Sequence, residues 1–367
     1  MAKCNARFFV KGVTFIGRKW LKQAVAALVI VFLLNATEIL PVATAAYFPR
    51  EASAAVSTET RYLVPVGRAV GMKIVSDGLL VVGMTDIVCD GLGVSPAKAA
   101  GLKEGDLIIS VDSKKVTCTQ DLRTALEEGD TVKITYSRDG SEHSATLTPA
   151  KSDEDGTYKL GAWVRDSMAG IGTLTFYDPT SGVFGALGHG INDVTTSELM
   201  PVASGTLVRS TISSVRKGQS GTPGELSGSF DLNDEFGALY ANTDCGVFGR
   251  VEASSLGVDT SKLMPVASAN EVTVGSATIL SNVSGDSVEE YSIEIKKVSN
   301  GESSPRDLLI QITDERLLAA TGGIVQGMSG SPIIQNGKFV GAVTHVLVGD
   351  PTRGYGILLE NMLEAAN

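Results

Sequence analysis

Residues 321–348, TGGIVQGMSGSPIIQNGKFVGAVTHVLV, decide the fold that the sequence predicts. The second half of this stretch contains two apolar, β-branched runs separated by Asn336-Gly337. Asn-Gly between such runs is a strong hairpin signal, because both central residues of a type I′ turn need a positive φ. The first half is a glycine-rich turn in which Gly327 and Gly330 flank Ser329. The sequence therefore predicts a serine in a tight loop directly before a β-hairpin.

A glycine-flanked loop of this kind can direct several backbone N–H groups into one space. An oxyanion hole requires such preorganised donors where negative charge develops. The nearest donors are the N–H groups of Gly327 and Ser329, so Ser329 is a candidate nucleophile with its own oxyanion hole. The alternative is a glycine-rich turn with a solvated serine.

Two strings in this stretch resemble known proteases. The hexapeptide GMSGSP, residues 327–332, resembles the nucleophile loop of chymotrypsin-like serine proteases, with Met328 where an acidic residue is usual. The longer string ATGGIVQGMSGSPIIQNGKFVGAVTHV, residues 320–346, resembles a narrower family, the sporulation factor IV B peptidases of spore-forming bacteria. These resemblances imply a serine endopeptidase of chymotrypsin-like fold.

The composition indicates a globular, β-rich protein. The chain has 367 residues, of which 43% are hydrophobic and 20% charged, and this length suffices for two domains. Its 41 glycines, with many Val, Ile and Thr, favour strands joined by turns. The net charge is −10 and no Lys/Arg stripe occurs, which argues against nucleic-acid binding.

The cysteine spacing argues against a metal site, and the sequence predicts no cofactor. Cys4, Cys89, Cys118 and Cys245 are widely spaced and form no CxxC pair. A disulfide between Cys89 and Cys118 and buried free thiols both remain open.

The N-terminus has the pattern of a signal sequence. Basic residues precede a short apolar run at residues 24–34, and Ala43-Thr44-Ala45 offers a small-residue cleavage site. The run is shorter than the ~20 apolar residues that span a bilayer. We predict a signal sequence or retained anchor in residues 1–45 and a linker in residues 46–68. The remaining chain is then exported.

Residues 69–150 have the element order of a PDZ domain. Ser95-Pro96 predicts a capped helix, residues 107–111 a strand and residues 119–128 an amphipathic helix. Asp139-Gly140 predicts a hairpin between two alternating strands. The string SPAKAAGLKEGDLI resembles the bacterial type of PDZ domain.

The resemblance to PDZ domains implies a peptide-binding edge. PDZ domains bind an extended peptide along one strand. The carboxylate-binding loop is expected near Gly78, Leu79, Leu80 and Val81. The alternative is a degenerate PDZ domain that only packs against its neighbour.

Residues 161–367 contain short β-type runs separated by turn residues, with little helical pattern. About 200 residues of this kind predict an all-β barrel or sandwich. A chymotrypsin-like pair of six-stranded barrels has this size. The predicted fold is therefore mainly β, with a PDZ domain followed by a serine peptidase domain of two β-barrels.

Only three histidines can serve as general base for Ser329: His143, His189 and His345. His143 lies in the last predicted PDZ strand, and His345 lies in the strand after the serine hairpin. His189 lies between two glycines at the end of an apolar strand, where a turn exposes its ring. The string GALGHGI also matches the family motif, so His189 is the predicted base.

The third member of a triad is open among three aspartates. Asp193 lies close to His189 in sequence, and Asp244 lies in a turn. Asp314 follows a strand and can equally be the N-cap of the next helix. The family pattern places its acidic residue in the segment TDERLL, so the resemblance favours Asp314. Its short separation from Ser329 departs from chymotrypsin, where the acid lies far upstream.

The family resemblance implies a particular role. Sporulation factor IV B peptidases are secreted into the space between the two forespore membranes, and they cleave themselves. They also cleave a membrane-bound regulator that restrains an intramembrane metalloprotease, which leads to sigma-factor activation. The rival hypotheses are a general extracytoplasmic PDZ quality-control protease and a non-catalytic peptide-binding scaffold.

Overall fold

The computed structural model describes residues 60–299 and 305–366, all within one compact unit. The predicted signal sequence and most of the predicted linker lie outside these residues. None of the described helices is long and apolar enough to span a bilayer.

The described residues are mainly β. The strands are, in chain order, β1 (Tyr62–Pro65), β2 (Ala69–Met84), β3 (Ile87–Cys89), β4 (Leu92–Val94), β5 (Leu107–Val111), β6 (Lys114–Lys115), β7 (Val132–Arg138), β8 (Ser141–Leu147), β9 (Ala150–Lys151), β10 (Tyr158–Lys159), β11 (Ala162–Asp178), β12 (Val183–Ala186), β13 (Ser204–Arg216), β14 (Glu225–Thr243), β15 (Gly246–Val251), β16 (Met264–Pro265), β17 (Gly275–Ser284), β18 (Ser287–Val298), β19 (Leu308–Ile312), β20 (Pro332–Gln335), β21 (Lys338–Leu347) and β22 (Asp350–Leu358). The α-helices are α1 (Pro96–Ala99), α2 (Thr119–Leu126), α3 (Ala253–Leu256), α4 (Glu315–Thr321) and α5 (Leu359–Glu364), and Ala269–Glu271 is a 3-10 helix.

The first barrel is a ring of six antiparallel strands. Its order is β11, β12, β15, β14, β13 and β2, and the pairing of β2 with β11 closes the ring. Apolar side chains on alternating positions fill it, among them the fully buried Leu174, Phe184 and Leu207. Alternation of this kind is what a half-buried strand requires.

The second barrel is also closed by six strands, in the order β17, β18, β19, β22, β21 and β20. Its core contains Ile279, Ile310 and Val343, none of which is exposed. The predicted Asn-Gly hairpin joins β20 to β21, with φ of +53° at Asn336 and +73° at Gly337. The prediction of a mainly β fold with two peptidase barrels is confirmed.

The PDZ domain contains β3 to β8, the helices α1 and α2, and the second half of β2. The predicted capped helix is α1, in which the Ser95 hydroxyl accepts from the Lys98 N–H. The predicted amphipathic helix is α2, which buries Leu122 and Leu126. The Asp139-Gly140 turn joins β7 to β8, as predicted.

Strands β2 and β11 belong to both the PDZ domain and the first barrel. They pair from Ala162 opposite Met84 to Thr173 opposite Ala69, with register shifts between Trp163 and Val164 and between Arg165 and Ser167. The sequence prediction differs from the structure here, because it ended a linker at residue 68 and began the PDZ domain at residue 69. Strand β1 lies inside the predicted linker and pairs with β11, since its apolar side chains Leu63 and Val64 are buried against the barrel.

Candidate active site

The loop that carries Ser329 depends on two glycines. Gly327 and Gly330 both have φ of +97°, a region that side chains rarely adopt. A Cβ atom on Gly330 would lie 2.2 Å from the Thr173 carbonyl oxygen and 2.6 Å from the Leu187 nitrogen. Only glycine therefore allows this loop of the second barrel to approach the first barrel so closely.

Thr173 of strand β11 holds the serine loop from the first barrel. Its hydroxyl donates to the Gly327 carbonyl at 2.7 Å, and its N–H donates to the Ser329 carbonyl at 3.3 Å. Within the described part of the chain, the backbone N–H groups of Gly327 and Ser329 donate no hydrogen bond. Thr173 thus holds Gly327 and Ser329 through their carbonyl groups, while the N–H groups of the same two residues stay available to a ligand.

The two serines of the loop have different surroundings. Ser331 is fully buried and donates from its hydroxyl to the Ser281 hydroxyl at 3.0 Å. Ser329 is partly exposed and donates to the Thr344 carbonyl at 2.6 Å. Ser331 therefore has a packing role, whereas Ser329 is the accessible hydroxyl.

His189 lies in the base loop, residues 187–200, which connects β12 to β13. The loop begins with two positive φ values, +68° at Leu187 and +71° at Gly188. A Cβ atom on Gly188 would lie 2.9 Å from the Thr344 side chain, so the base loop contacts the second barrel beside the strand that holds Ser329. The structure thus brings the loops of His189 and Ser329 together at the junction of the two barrels.

The ring of His189 is oriented by its own loop. Its Nδ1 lies 2.7 Å from the Gly190 carbonyl oxygen. A carbonyl can only accept, so this contact places the proton on Nδ1 and leaves Nε2 as the acceptor. That tautomer is the one that a general base for serine needs.

His345 lies beside His189, with ring centroids 4.9 Å apart. Burial, then the nearby His189 and Arg306, lower the pKa of His345 to about 4. Burial also lowers the pKa of His189, against the opposing effect of its hydrogen bond to Gly190. Both rings are therefore neutral at neutral pH, and a neutral imidazole is able to accept a proton.

Asp314 is the N-cap of α4. Its carboxylate accepts from the backbone N–H groups of Arg316, Leu317 and Ser292, and it forms an ion pair with Arg316. These bonds, led by the one from the Arg316 side chain, lower the pKa of Asp314. No contact joins it to His189 among the described residues. The observed contacts are those of the N-cap alternative, and the triad role of Asp314 stays a prediction without a contact to support it.

The other two aspartates lie nearer to His189. Asp244 is exposed in the turn between β14 and β15, two residues after Asn242. The Asn242 side chain bonds both the N–H and the carbonyl of Ile191, so this turn is fastened to the base loop. Asp193 is buried inside the base loop and forms an ion pair with Arg165.

The predicted peptide-binding residues lie inside strand β2. Leu79, Leu80 and Val81 are buried, and a Cβ atom on Gly78 would lie 2.5 Å from the Ile108 carbonyl oxygen. Strand β5 pairs with one edge of this segment and β11 with the other. Both edges are therefore used by the chain itself.

The third histidine lies in the PDZ domain, and the three cysteines that the structure describes form no disulfide. His143 is exposed on β8 and stacks on Tyr136. Cys89, Cys118 and Cys245 are free thiols. Among the residues that the structure describes, no group of three or more His, Cys, Asp or Glu side chains is placed to hold a metal ion.

Sequence reasoning missed three residues that hold the site. Thr173, Thr344 and Asn242 act through backbone atoms or bond to backbone atoms, and such contacts depend on strands that meet only in the fold. Nothing in the neighbouring sequence marks them.

Two β-barrels with a glycine-framed serine and a histidine at their junction define a serine endopeptidase, here one that carries a PDZ domain. The sequence model of SpoIVB peptidase S55 matches residues 156–363, and that of a PDZ domain matches residues 87–148. Since the first match covers more than half of the chain, the protein belongs to the SpoIVB peptidase S55 family.

Curated relatives match over short segments of this chain. The serine protease Do-like HtrA of Lactococcus lactis subsp. lactis is 46% identical over 63 residues, 16% of this chain and 15% of that protein. The serine protease HTRA1 of Xenopus tropicalis is 41% identical over 56 residues, 15% of this chain and 12% of that protein. The chain thus spans less than a fifth of the length of either relative.

Solved structures similar to this chain include a PDZ domain and two proteases. The PDZ domain of an SdrC-like protein from Listeria monocytogenes is 30% identical and covers 24% of this chain and 87% of its own, with a TM-score of 0.20. The active form of the Rv3671c protease from M. tuberculosis is 15% identical and covers 54% and 73%, with a TM-score of 0.33. The HtrA-type protease AlgW with a decapeptide is 11% identical and covers 58% and 54%, with a TM-score of 0.31.

Proposed function

We propose that this protein is an exported serine endopeptidase in which Ser329 is the nucleophile and His189 the general base. The observation that carries the proposal is the junction of the barrels. There a partly exposed serine and a histidine whose Nδ1 bonds the Gly190 carbonyl come from loops in contact, and the N–H groups of Gly327 and Ser329 have no hydrogen-bond partner among the described residues.

The first step is attack by Ser329. Its hydroxyl leaves the Thr344 carbonyl, gives its proton to His189 Nε2 and forms a bond to the substrate carbonyl carbon. The N–H groups of Gly327 and Ser329 stabilise the oxyanion. His189 then gives the proton to the leaving amine, the peptide C–N bond breaks and an acyl-enzyme remains.

Hydrolysis of the acyl-enzyme uses the same groups. A water molecule gives a proton to His189 Nε2 and attacks the ester carbonyl, and the same N–H groups stabilise the second oxyanion. Return of that proton to Ser329 releases the new carboxyl terminus and restores the enzyme.

We further propose that the substrates are the chain itself and a membrane-bound regulator of an intramembrane protease, so that cleavage leads to sigma-factor activation in sporulation. Membership in the SpoIVB peptidase S55 family supports this proposal. The signal-like pattern in residues 1–45 supports a site of action outside the cytoplasm, between the two forespore membranes.

A fluorophosphonate probe tests the chemistry apart from the biology, because it labels only an activated serine. We expect wild type and Ser331→Ala to be labelled and Ser329→Ala to remain unlabelled. An unlabelled wild type that binds peptide would favour the scaffold hypothesis. Labelling of Ser329→Ala would place the nucleophile elsewhere.

The biological substrate needs a second test. Purified protein is mixed with a membrane-bound regulator reconstituted in vesicles, and with an unrelated unfolded protein. Selective cleavage of the regulator fits the proposal, whereas equal cleavage of both would favour the quality-control hypothesis.

A further inference from the structure

The chain itself occupies the edge of the PDZ sheet. Residues 160–166, which we call the groove strand, run antiparallel to β2, with Val164 opposite Val81 and Arg165 opposite Leu80. Backbone bonds extend the contact, since the Ala97 N–H donates to the Leu160 carbonyl at 2.7 Å. A peptide that added a strand to this edge would need the same backbone groups.

Alternate side chains of the groove strand pack into the PDZ domain. Leu160 is 4% exposed within the PDZ core, and Ala162 and Val164 pack against the same core. On its other side the strand contacts the N-terminus of α2, where the Thr119 N–H donates to the Asp166 carboxylate at 2.9 Å. The segment thus lies between a sheet edge and a helix, with every second side chain inserted, as a bound peptide does.

The opposite face of the groove strand contacts the base loop. Arg165 projects from this face and forms an ion pair with Asp193, a buried carboxylate four residues after His189. The other oxygen of Asp193 accepts from the N–H groups of Thr195 and Thr196. One side chain therefore connects the occupied PDZ edge with the loop that carries the predicted base.

We propose that the groove strand is an internal ligand of the PDZ domain and that Arg165 and Asp193 are positioning residues for His189. This inference rests on the proposed function of Ser329 and His189. While the groove strand is seated, the Arg165–Asp193 pair fixes the base loop and with it the ring of His189. A peptide that takes the sheet edge releases Arg165 and so lowers catalysis.

A double-mutant cycle tests the positioning role in the full-length protein. Asp193→Asn keeps the oxygen that accepts from Thr195 and Thr196 and removes the charge that faces Arg165. We expect Arg165→Met and Asp193→Asn each to lower kcat by about three- to thirtyfold with little change in KM, the range that couplings between linked sites give. The double variant should lose no more than the larger single loss, and Arg165→Lys should recover most of the rate.

Control variants separate positioning from misfolding. Val88→Ser changes an exposed side chain of the PDZ domain outside the groove strand and should leave kcat unchanged. The urea midpoint of each variant shows whether the fold persists. Normal kcat in both single variants would overturn the positioning role, and so would additive losses in the double variant or a loss that affects KM alone.

Binding of a labelled peptide tests whether the groove strand occupies the edge of the PDZ sheet. The probe is a peptide with the sequence of residues 160–167, LGAWVRDS, labelled with a fluorophore. We expect weak binding to the wild type and stronger binding to Val164→Asp, which unseats the strand, together with a lower kcat in that variant. Equal binding to both proteins would overturn the internal-ligand assignment.

The two levels of inference fail in different ways. Absence of fluorophosphonate labelling in wild type would remove the proposed function, while the peptide-binding comparison would still decide whether the groove strand fills the PDZ edge. A labelled, active wild type with unaffected Arg165→Met and Asp193→Asn would leave the proposed function in place and remove only the coupling.

Discussion

Ser329 donates its hydrogen bond to the backbone carbonyl of Thr344, 2.6 Å away, and no bond to His189 occurs among the described residues. The Ser329 hydroxyl must therefore give up this acceptor before its proton can reach Nε2. Because the acceptor is a main-chain atom at the barrel junction, this resting state is a property of the fold and cannot be removed by changing the Thr344 side chain.

The nucleophile prediction separates the two serines of the loop. Ser329→Ala should lower kcat for peptide hydrolysis by roughly 10³-fold or more, since loss of a triad member leaves only the oxyanion hole and binding. Ser331→Ala should keep most activity but lower the free energy of unfolding by about 1 kcal/mol, because it leaves the buried Ser281 hydroxyl without its donor. Steady-state kinetics and urea unfolding measure both. An inactive Ser331→Ala beside an active Ser329→Ala would contradict the assignment.

The activity of the enzyme should follow the ionisation of His189. Burial lowers the pKa of this imidazole, so the neutral form that accepts the Ser329 proton persists below the ordinary value of about 6.5. We therefore expect kcat to rise with pH through a midpoint below about 6.5. Ester hydrolysis against pH gives the midpoint, and His345→Gln should leave it in place. A midpoint clearly above the ordinary value would indicate a carboxylate partner that favours imidazolium.

His345 should make the fold sensitive to acid. The pKa of His345 is lowered to about 4 in the folded protein. As pH falls from about 6.5 towards 4, the imidazole therefore becomes protonated in the unfolded chain but stays neutral in the folded protein. Stability is full above this window and declines as pH falls through it. His345→Gln should therefore lose less stability between pH 7 and pH 4.5 than wild type, as urea midpoints at the two pH values will show. His143→Gln, at an exposed histidine on β8, should behave like wild type.

Variants of Asp314 distinguish a role as the N-cap of α4 from a role as the acid of a catalytic triad. If its contacts define its role, Asp314→Ala should lower the free energy of unfolding by about 1 kcal/mol, and Asp314→Asn, which is also a good N-cap, should cost little. Because no contact joins it to His189, we expect kcat of Asp314→Asn to stay within about tenfold of wild type, far from the ~10⁴ loss of a triad acid. Asp244→Asn is the matched variant for the rival acid. A collapse of kcat in only one of the two would identify the third member.

Thr173 should influence the oxyanion hole without touching substrate. Thr173→Val removes the hydroxyl that holds the Gly327 carbonyl, so the 327–328 peptide is then free to turn and the backbone of Gly327, which carries one of the predicted donors, is less firmly held. We expect kcat to fall by about tenfold to a hundredfold, since outright loss of one donor costs about 10²–10³. Thr173→Ser keeps the hydroxyl and should keep most of the rate. Equal rates for Thr173→Val and Thr173→Ser would show that catalysis does not depend on the hydrogen bond from this hydroxyl to the Gly327 carbonyl.

Local signals in the sequence were sufficient for elements whose cause is local. Three features follow from residues a few positions apart, and the structure contains all three. They are the Asn336-Gly337 turn, the Ser95 cap and the apolar face of the amphipathic helix α2. Two barrels were predictable because short runs and turns recur over residues 161–367, but the sixth strand of the first barrel, β2, comes from residues 69–84, which were assigned to the PDZ domain.

Contacts across the fold were beyond local signals. The sequence shows that Asp314 follows a strand, but not that its oxygens are taken by Ser292, Arg316 and Leu317. It likewise predicts a peptide-binding segment at residues 78–81, but does not show that another strand of the same chain covers its edge. Both facts depend on which distant strands become neighbours.

Because the PDZ domain and the first barrel share strands β2 and β11, the PDZ domain is an insertion between two paired strands of the peptidase. It is not a separate domain that precedes the peptidase in the chain. Removal of the chain up to residue 150 would delete strand β2 of the first barrel together with most of the PDZ domain. To excise the module and keep the enzyme, a short turn must join Val75 to Ser167, which already face each other across the ribbon. Any exchange of the PDZ domain of this chain for another is subject to the same constraint, because the new domain must rejoin the two paired strands of the first barrel.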